Sequence, residues 1–340
     1  MKSDLKRREF IKQAGAASIS LSLPNYILRP SQSVPRGKRV GIIGLDTSHS
    51  PAFTKIFNTA NSEALLKGYQ VVAAYPQGSM DIPGSAERIP EYTAQVKEMG
   101  VDIVDSIDKL LEKVDVVLLE TNDGRLHLEQ ALPVLKAGKK LFVDKPVTAS
   151  LHDAIALYDA AEEYQTPVFS SSSLRYLKKA QDVRHNQIAG QVTGAMTFSP
   201  ATLEAHHPDL FWYGIHGVEI LFTVMGTGCR RVQRFATPDT DIVIGTWNDG
   251  RLGTFRGSRT GKHDYGGIAF GTEANVNLGP FDGYQNLVYK IAEFFESGKP
   301  PVSPKETLEI YAFMEAADES KRQDGSEVSL DYVMNKARNS

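Results

Sequence analysis

A single cysteine, Cys229, excludes an internal disulfide and a cysteine-rich metal centre. As a small apolar side chain it belongs in a core. An excess of charge is also missing. Lysine and arginine number 38 against 41 acids, and the net charge of -3 gives no footing for nucleic acid or an anionic membrane. The apolar stretch Ala14 to Leu23 is too short to span a bilayer and is broken by polar residues and Gly15. There is no repeat and no low-complexity tract. What remains is an ordinary globular composition over 340 residues, enough for two modest domains.

The amino terminus carries a clear signal. Lys6-Arg7-Arg8-Glu9-Phe10-Ile11-Lys12 matches a twin-arginine export signal in register, and the weak apolar run follows it. Residues 1–37 are therefore expected to be signal and linker, and the mature protein to be periplasmic, with no membrane association once the signal is gone. No cysteine follows the apolar run, so a lipoprotein anchor is excluded. This route carries folded proteins. A nucleotide cofactor would be loaded before transport and held tightly.

Beyond residue 38 short apolar runs alternate with helical patterns. Strands are expected at 39–43, 70–75, 101–104, 115–119, 140–143 and 167–170. Helices are expected from Ser50-Pro51 (serine as cap, proline first), over 85–99, 106–113 and 150–164. That alternation predicts an α/β fold with a Rossmann-like doubly wound parallel sheet. From Val192 the pattern becomes β-rich, with Asn248-Asp249-Gly250 as a hairpin turn. Two helices, near 281–296 and from Ser303-Pro304, close the chain. Residues 38–165 are expected to form the dinucleotide-binding domain. Residues 166–340 form a second α+β domain, for substrate and oligomerisation, on a mostly antiparallel sheet. The basic run Arg230, Arg231 and Arg234 reads as the solvated face of a strand.

A dinucleotide loop needs Gly-x-Gly-x-x-Gly after the first strand. Here Gly44-Leu45-Asp46-Thr47-Ser48-His49 keeps the first glycine, and Asp46 and His49 replace the others. The second strand ends Tyr75-Pro76-Gln77, without the acid that usually holds the adenosine ribose. Thr47, Ser48 and the following helix N-terminus still offer donors to an anion.

Two motifs at the other end carry a resemblance. Thr121-Asn122-Asp123-Gly124-Arg125-Leu126-His127 resembles the Thr-Pro-Asn-x-x-His loop of the Gfo/Idh/MocA oxidoreductases, and Asp144-Lys145-Pro146 resembles their Glu-Lys-Pro. The resemblance implies NAD or NADP against Gly44, Asp46, Thr47, Ser48, His49, Thr121, Asn122, His127, Asp144, Lys145 and Pro146. His127 is equally read as a polar residue at a helix start. Ser170 to Tyr176 matches the family's strand ending in Arg plus an aromatic; Arg175 either binds substrate or pairs with a carboxylate.

A second cluster runs from Glu204 to Glu219, and holds three of the eight histidines. The family's His-x-x-Asp helix aligns His216 with a substrate-facing histidine and Glu219 with the acid. The resemblance implies His216 as acid/base and Lys145 as its partner. Trp212 and Tyr213 suit the apolar face of a sugar, with His206, His207, Asp209 and Arg175 at its hydroxyls. A competing reading binds a divalent metal at His206, His207, Asp209 and His216; it ranks below the first, and no metal is assigned. The expected activity is an exported NAD(P)-dependent oxidoreductase on a carbohydrate or polyol hydroxyl. Redox-neutral lyase, hydrolase or isomerase chemistry with a trapped cofactor or metal, and a non-catalytic sugar binder, are the alternatives. Family members associate through the second sheet, which implies a homodimer or homotetramer.

Overall fold

The computed structural model describes residues 37–59 and 63–340. The twin-arginine segment lies outside the described residues. Six strands form the first sheet: β1 Arg39–Ile43, β2 Gln70–Tyr75, β3 Asp102–Ile103, β4 Val116–Leu119, β5 Leu141–Val143 and β6 Val168–Ser170. Their order is β3-β2-β1-β4-β5-β6, and every pair is parallel. Every residue of β4, β5 and β6 is buried, as expected of strands covered on both faces. The order reverses between β1 and β4, which opens a crevice at their carboxyl ends.

Helices α1 His49–Asn58, α2 Ile89–Glu98, α3 Ile107–Lys113, α4 His127–Lys136 and α5 Leu151–Glu163 flank this sheet. Ser106 and Ser150 cap α3 and α5 by accepting from Lys109 N and Asp153 N. Ser50 does not cap α1. The helix begins one residue earlier, and Ser50 Oγ turns inward to donate to Gly44 O at 2.9 Å. The helix expected over 85–99 is two pieces, a turn at Pro83–Ala86 and then α2. Pro90 enforces the second start, because proline is tolerated only in the first turn.

The second sheet holds β7 Val192–Pro200, β8 Cys229–Ala236, β9 Thr240–Trp247, β10 Leu252–Ser258, β11 Gly266–Gly271, β12 Asn275–Asn277 and β13 Val328–Ser329. Its order is β12-β11-β7-β10-β9-β8-β13; β7 and β10 run parallel and the other pairs antiparallel. Helices α6 Lys178–Arg184, α7 Ile215–Met225, α8 Gln285–Ser297, α9 Pro304–Arg322 and α10 Leu330–Arg338 complete the chain. Neither α6 nor α10 stands out in the sequence. Both are short, and the apolar face of α10 shows only as Leu330, Val333 and Ala337. Every residue of α7 is buried.

Late in the chain, α8 returns to the first sheet. Its Leu287, Ile291, Phe294 and Phe295 share one core with Val40, Ile42, Phe53, Phe142 and Phe169. Each such phenylalanine contributes about 2–3 kcal/mol by burial. One outer face of the second sheet stays apolar and open, with Met196, Phe198, Leu252 and Ile268 exposed. Arg234 overturns the reading of the basic run as solvated. It is 1% exposed and pairs with Asp209, Asp241 and Asp318, whereas Arg230 and Arg231 do face water. No helix among the described residues is long and apolar enough to cross a membrane.

Candidate active site

The strand ends fix what faces the crevice. Gly44 leaves β1 at φ +87°, and a Cβ there would lie 2.4 Å from Thr121 Oγ1. Only glycine lets the β1 exit pass so close to the β4 exit. Two residues on, Asp46 is fully buried. Its carboxylate accepts from Ser79 N at 2.8 Å and Asn122 N at 3.0 Å, tying the exits of β1, β2 and β4 together. A Cβ on Gly78 would meet that carboxylate at 2.3 Å. Burial pushes the Asp46 carboxyl above its ordinary pKa, against the pull of the two amides.

Three side chains converge at the centre. His49, the first residue of α1, sets Nδ1 2.6 Å from Asp144 Oδ2. Its ring stacks on Phe53 and meets Tyr284 edge-on at 4.9 Å. Sheet register then places Glu120, just past β4, between Gly44 and Asp144. Glu120 is fully buried, and neither carboxylate oxygen has a hydrogen-bond partner. Burial and the neighbouring Asp144 push the Glu120 carboxyl well above its usual range. Burial works the same way on Asp144, but His49 and Lys145 hold that group below its ordinary value.

Lys145 follows at the mouth. It is 7% exposed, its peptide to Pro146 is cis, and Nζ stands 5.7 Å from the Tyr213 ring centroid. On the opposite wall, α7 supplies His216, whose Nδ1 lies 2.7 Å from Ser172 Oγ. Tyr213 and Tyr265 flank its ring at 5.8 and 5.5 Å. Burial first, then the Lys145 charge, drives His216 well below the usual histidine pKa, so the imidazole is neutral. With Nδ1–H assigned to Ser172, Nε2 is left as the acceptor.

Residues 38–172 match the model of the Gfo/Idh/MocA oxidoreductases, an oxidoreductase family with an NAD-binding Rossmann fold. An uncharacterized oxidoreductase of Streptococcus pneumoniae serotype 4 is 25% identical over 171 residues, 48% of this chain and 44% of that protein. The chain thus spans less than half the length of this curated relative. Among solved structures, an oxidoreductase from Thermotoga maritima has a TM-score of 0.68 at 17% identity, covering 87% of this chain and 99% of its own. Scyllo-inositol dehydrogenase from Lactobacillus casei, solved with NAD(H) and scyllo-inositol, has a TM-score of 0.66 at 15% identity, covering 86% and 99%. These structures establish the shared two-domain fold. The family match spans residues 38–172, less than half of the chain.

Against the Gfo/Idh/MocA pattern, the crevice fits a dinucleotide at one end. Lys145, Thr121 and the free edge of His216 are the groups that would meet a nicotinamide, and the Thr121 hydroxyl has no partner. The phosphate end does not fit as it stands. Asp46 occupies the amides of Ser79 and Asn122, and His49 turns its ring to Asp144. Thr47 is buried beside them and Ser48 is exposed. Asn122 Nδ2 bonds Ser85 Oγ at 2.9 Å.

Other expected site residues have structural partners. His127 is fully buried with Nε2 2.6 Å from Thr121 O and Nδ1 3.2 Å from Val147 O, so it ties two loops rather than facing a cofactor. Arg175 is 2% exposed and paired with Glu219 and Glu306, out of reach of a substrate. The histidine cluster disperses. His206 meets Glu204 at the surface. His207 Nε2 accepts from Gly124 N at 3.1 Å, its ring lies against Trp212, and burial lowers its pKa to about 4. Asp209 pairs with Arg234 and Lys321. Tyr213 and His216 alone of that cluster meet Lys145. Sequence reasoning missed Glu120, Ser172, Tyr265 and Tyr284. Glu120 left one trace, an acid closing the apolar run Val116–Leu119 at the functional edge.

Proposed function

We propose that this chain is an exported NAD(P)-dependent oxidoreductase acting on a hydroxyl of a carbohydrate or polyol. One observation carries the reading: neutral His216, anchored through Ser172, stands across the crevice from buried Lys145. His216 Nε2 is placed to take the hydroxyl proton. The Lys145 ammonium steadies the negative charge that develops on that oxygen. Tyr213 and Tyr265 offer ring faces to an apolar sugar face. A bound nicotinamide supplies hydride acceptance; Thr121, Lys145 and Pro146 would hold that end. The polyol class draws on the scyllo-inositol bound to one structural neighbour. A second copy covering Met196, Phe198, Leu252 and Ile268 would make a homodimer or homotetramer.

The test is turnover of a panel of cyclitols and sugars with NAD or NADP, read as reduced-nicotinamide absorbance. Turnover that falls about 100-fold in His216→Asn supports the reading, and no turnover across the panel counts against it. A redox-neutral cycle is the second reading, favoured by Asp46 on the phosphate-end amides. It predicts substrate conversion with no absorbance change and a dinucleotide released on denaturation.

A further inference from the structure

The carboxyl ends of β4 and β5 carry a problem that the proposed function does not solve. Four buried apolar residues, Val116–Leu119, lead directly to Glu120. The backbone there is fully engaged: Glu120 N donates to Ile43 O at 2.7 Å, and Asp144 N donates to Leu119 O at 2.8 Å. Side-chain position is therefore fixed by the sheet. Yet both Glu120 oxygens and Asp144 Oδ1 are without a partner, in residues 0% and 1% exposed. Buried polar atoms are almost always paired, and buried carboxylates are paired or bound to a cation.

Nearby protein groups do not meet this need. Lys145 is the one cation whose charge reaches Glu120 among the groups acting on it, and Asp144 and Asp46 oppose it. His49 touches only one oxygen of Asp144. A proton shared between Glu120 and Asp144 would pair at most two of the three orphaned oxygens. A cation placed among the three side chains would draw on both carboxylates at once. One donor atom from each of His49, Glu120 and Asp144 lies within 4.8 Å of the others.

We propose that His49, Glu120 and Asp144 form a binding site for one divalent cation of the zinc or manganese type. One imidazole with two carboxylates suits those ions better than magnesium or calcium, which take oxygen donors in greater number. The three donors come from three rigid positions, the first turn of α1 and the ends of β4 and β5. Phe53 and Tyr284 hold the His49 ring in place. Three protein donors leave coordination positions open. In a crevice shared with Lys145 and His216, the ligand class for them is a hydroxyl or carbonyl oxygen. The histidine cluster at 206–216, which looked like the metal candidate in sequence, is dispersed and provides no such set.

The test uses the untagged full chain, stripped with a chelator and titrated separately with Zn2+ and Mn2+. The wild type is expected to take up one equivalent and to melt at a higher temperature when loaded. Glu120→Gln and His49→Gln are each expected to weaken uptake about 100-fold or more, with the far-ultraviolet spectrum unchanged. Absence of uptake by the wild type, or equal uptake by folded variants, overturns the proposal. Should the variants fail to fold, anomalous diffraction from zinc-soaked wild-type crystals decides. A peak among the three side chains supports the site, and a peak only at surface groups such as His206 and Glu204 overturns it. No arm depends on NAD or turnover, so its failure is distinct from failure of the oxidoreductase reading.

Discussion

The two ends of the crevice are built from the same strand exits and end in opposite states. At the phosphate end, Asp46 draws the loops of β1, β2 and β4 onto itself, and its hydrogen bonds are satisfied internally. At the other end, Lys145 and His216 stand with reactive atoms unengaged, and Glu120 lacks any partner. One end has been turned into structure while the other keeps groups that need a ligand. Polar residues of equal burial thus divide into struts and ligand groups, according to whether their hydrogen bonds close within the chain.

Substitutions can break or sharpen that division. The largest effect is expected at the open end: Lys145→Met should lower turnover at least about 1,000-fold with no loss of folding. Steady-state kinetics beside a melting curve checks it. His216→Asn should cost about 100-fold in kcat, by removing the proton acceptor. Arg175→Met tests the opposite class. It leaves Glu219 buried without its cation and Glu306 with Arg184 alone, and should destabilise the fold by about 3 kcal/mol, measured by denaturant unfolding.

Asp46→Gly tests the closed end. Losing its carboxylate strands the amides of Ser79 and Asn122, at about 1–2 kcal/mol in stability. The freed amides should raise dinucleotide affinity about tenfold, measured by calorimetry. Unchanged affinity would mean that Asp46 does not stand in the way of phosphate. The smallest effect lies outside the crevice. Asp115 accepts from Arg39 and from Gly37 N, and these contacts hold its pKa at about 2. A depressed carboxylate adds stability above its unfolded value of 3.8 and loses it as pH falls toward about 2. After solvent screening about 1 kcal/mol is expected to disappear in that window, and Asp115→Asn should flatten the dependence.

The first sheet was legible because each strand is a short apolar run closed by polar or glycine residues, a signal that needs no tertiary information. The position of Lys145 just past a strand end was legible for the same reason, whereas His216 was singled out only through the family resemblance. The histidine cluster was not legible. His206, His207 and Asp209 are neighbours in sequence, but Pro208 and the short turn Asp209–Trp212 send them in three directions. Arg234 misled because its burial depends on acids such as Asp318 far along the chain, and for Arg175 no local pattern could choose between substrate and the carboxylates of Glu219 and Glu306 that it pairs with. Glu120 was passed over because its significance lies in missing partners, visible only in three dimensions.

The return of α8 to the first sheet has a consequence for how the chain comes into being. Phe142 and Phe169 are synthesised long before Phe294 and Phe295, which complete their packing. Through most of synthesis that face of the sheet is bare, and its closure is a long-range event that local folding cannot supply. A fragment ending at residue 172, where the family match stops, would keep its strands and lose its lid of aromatic rings. The Rossmann unit of this protein is a module in sequence only; as an object that can fold, it includes residues from both sides of the second sheet.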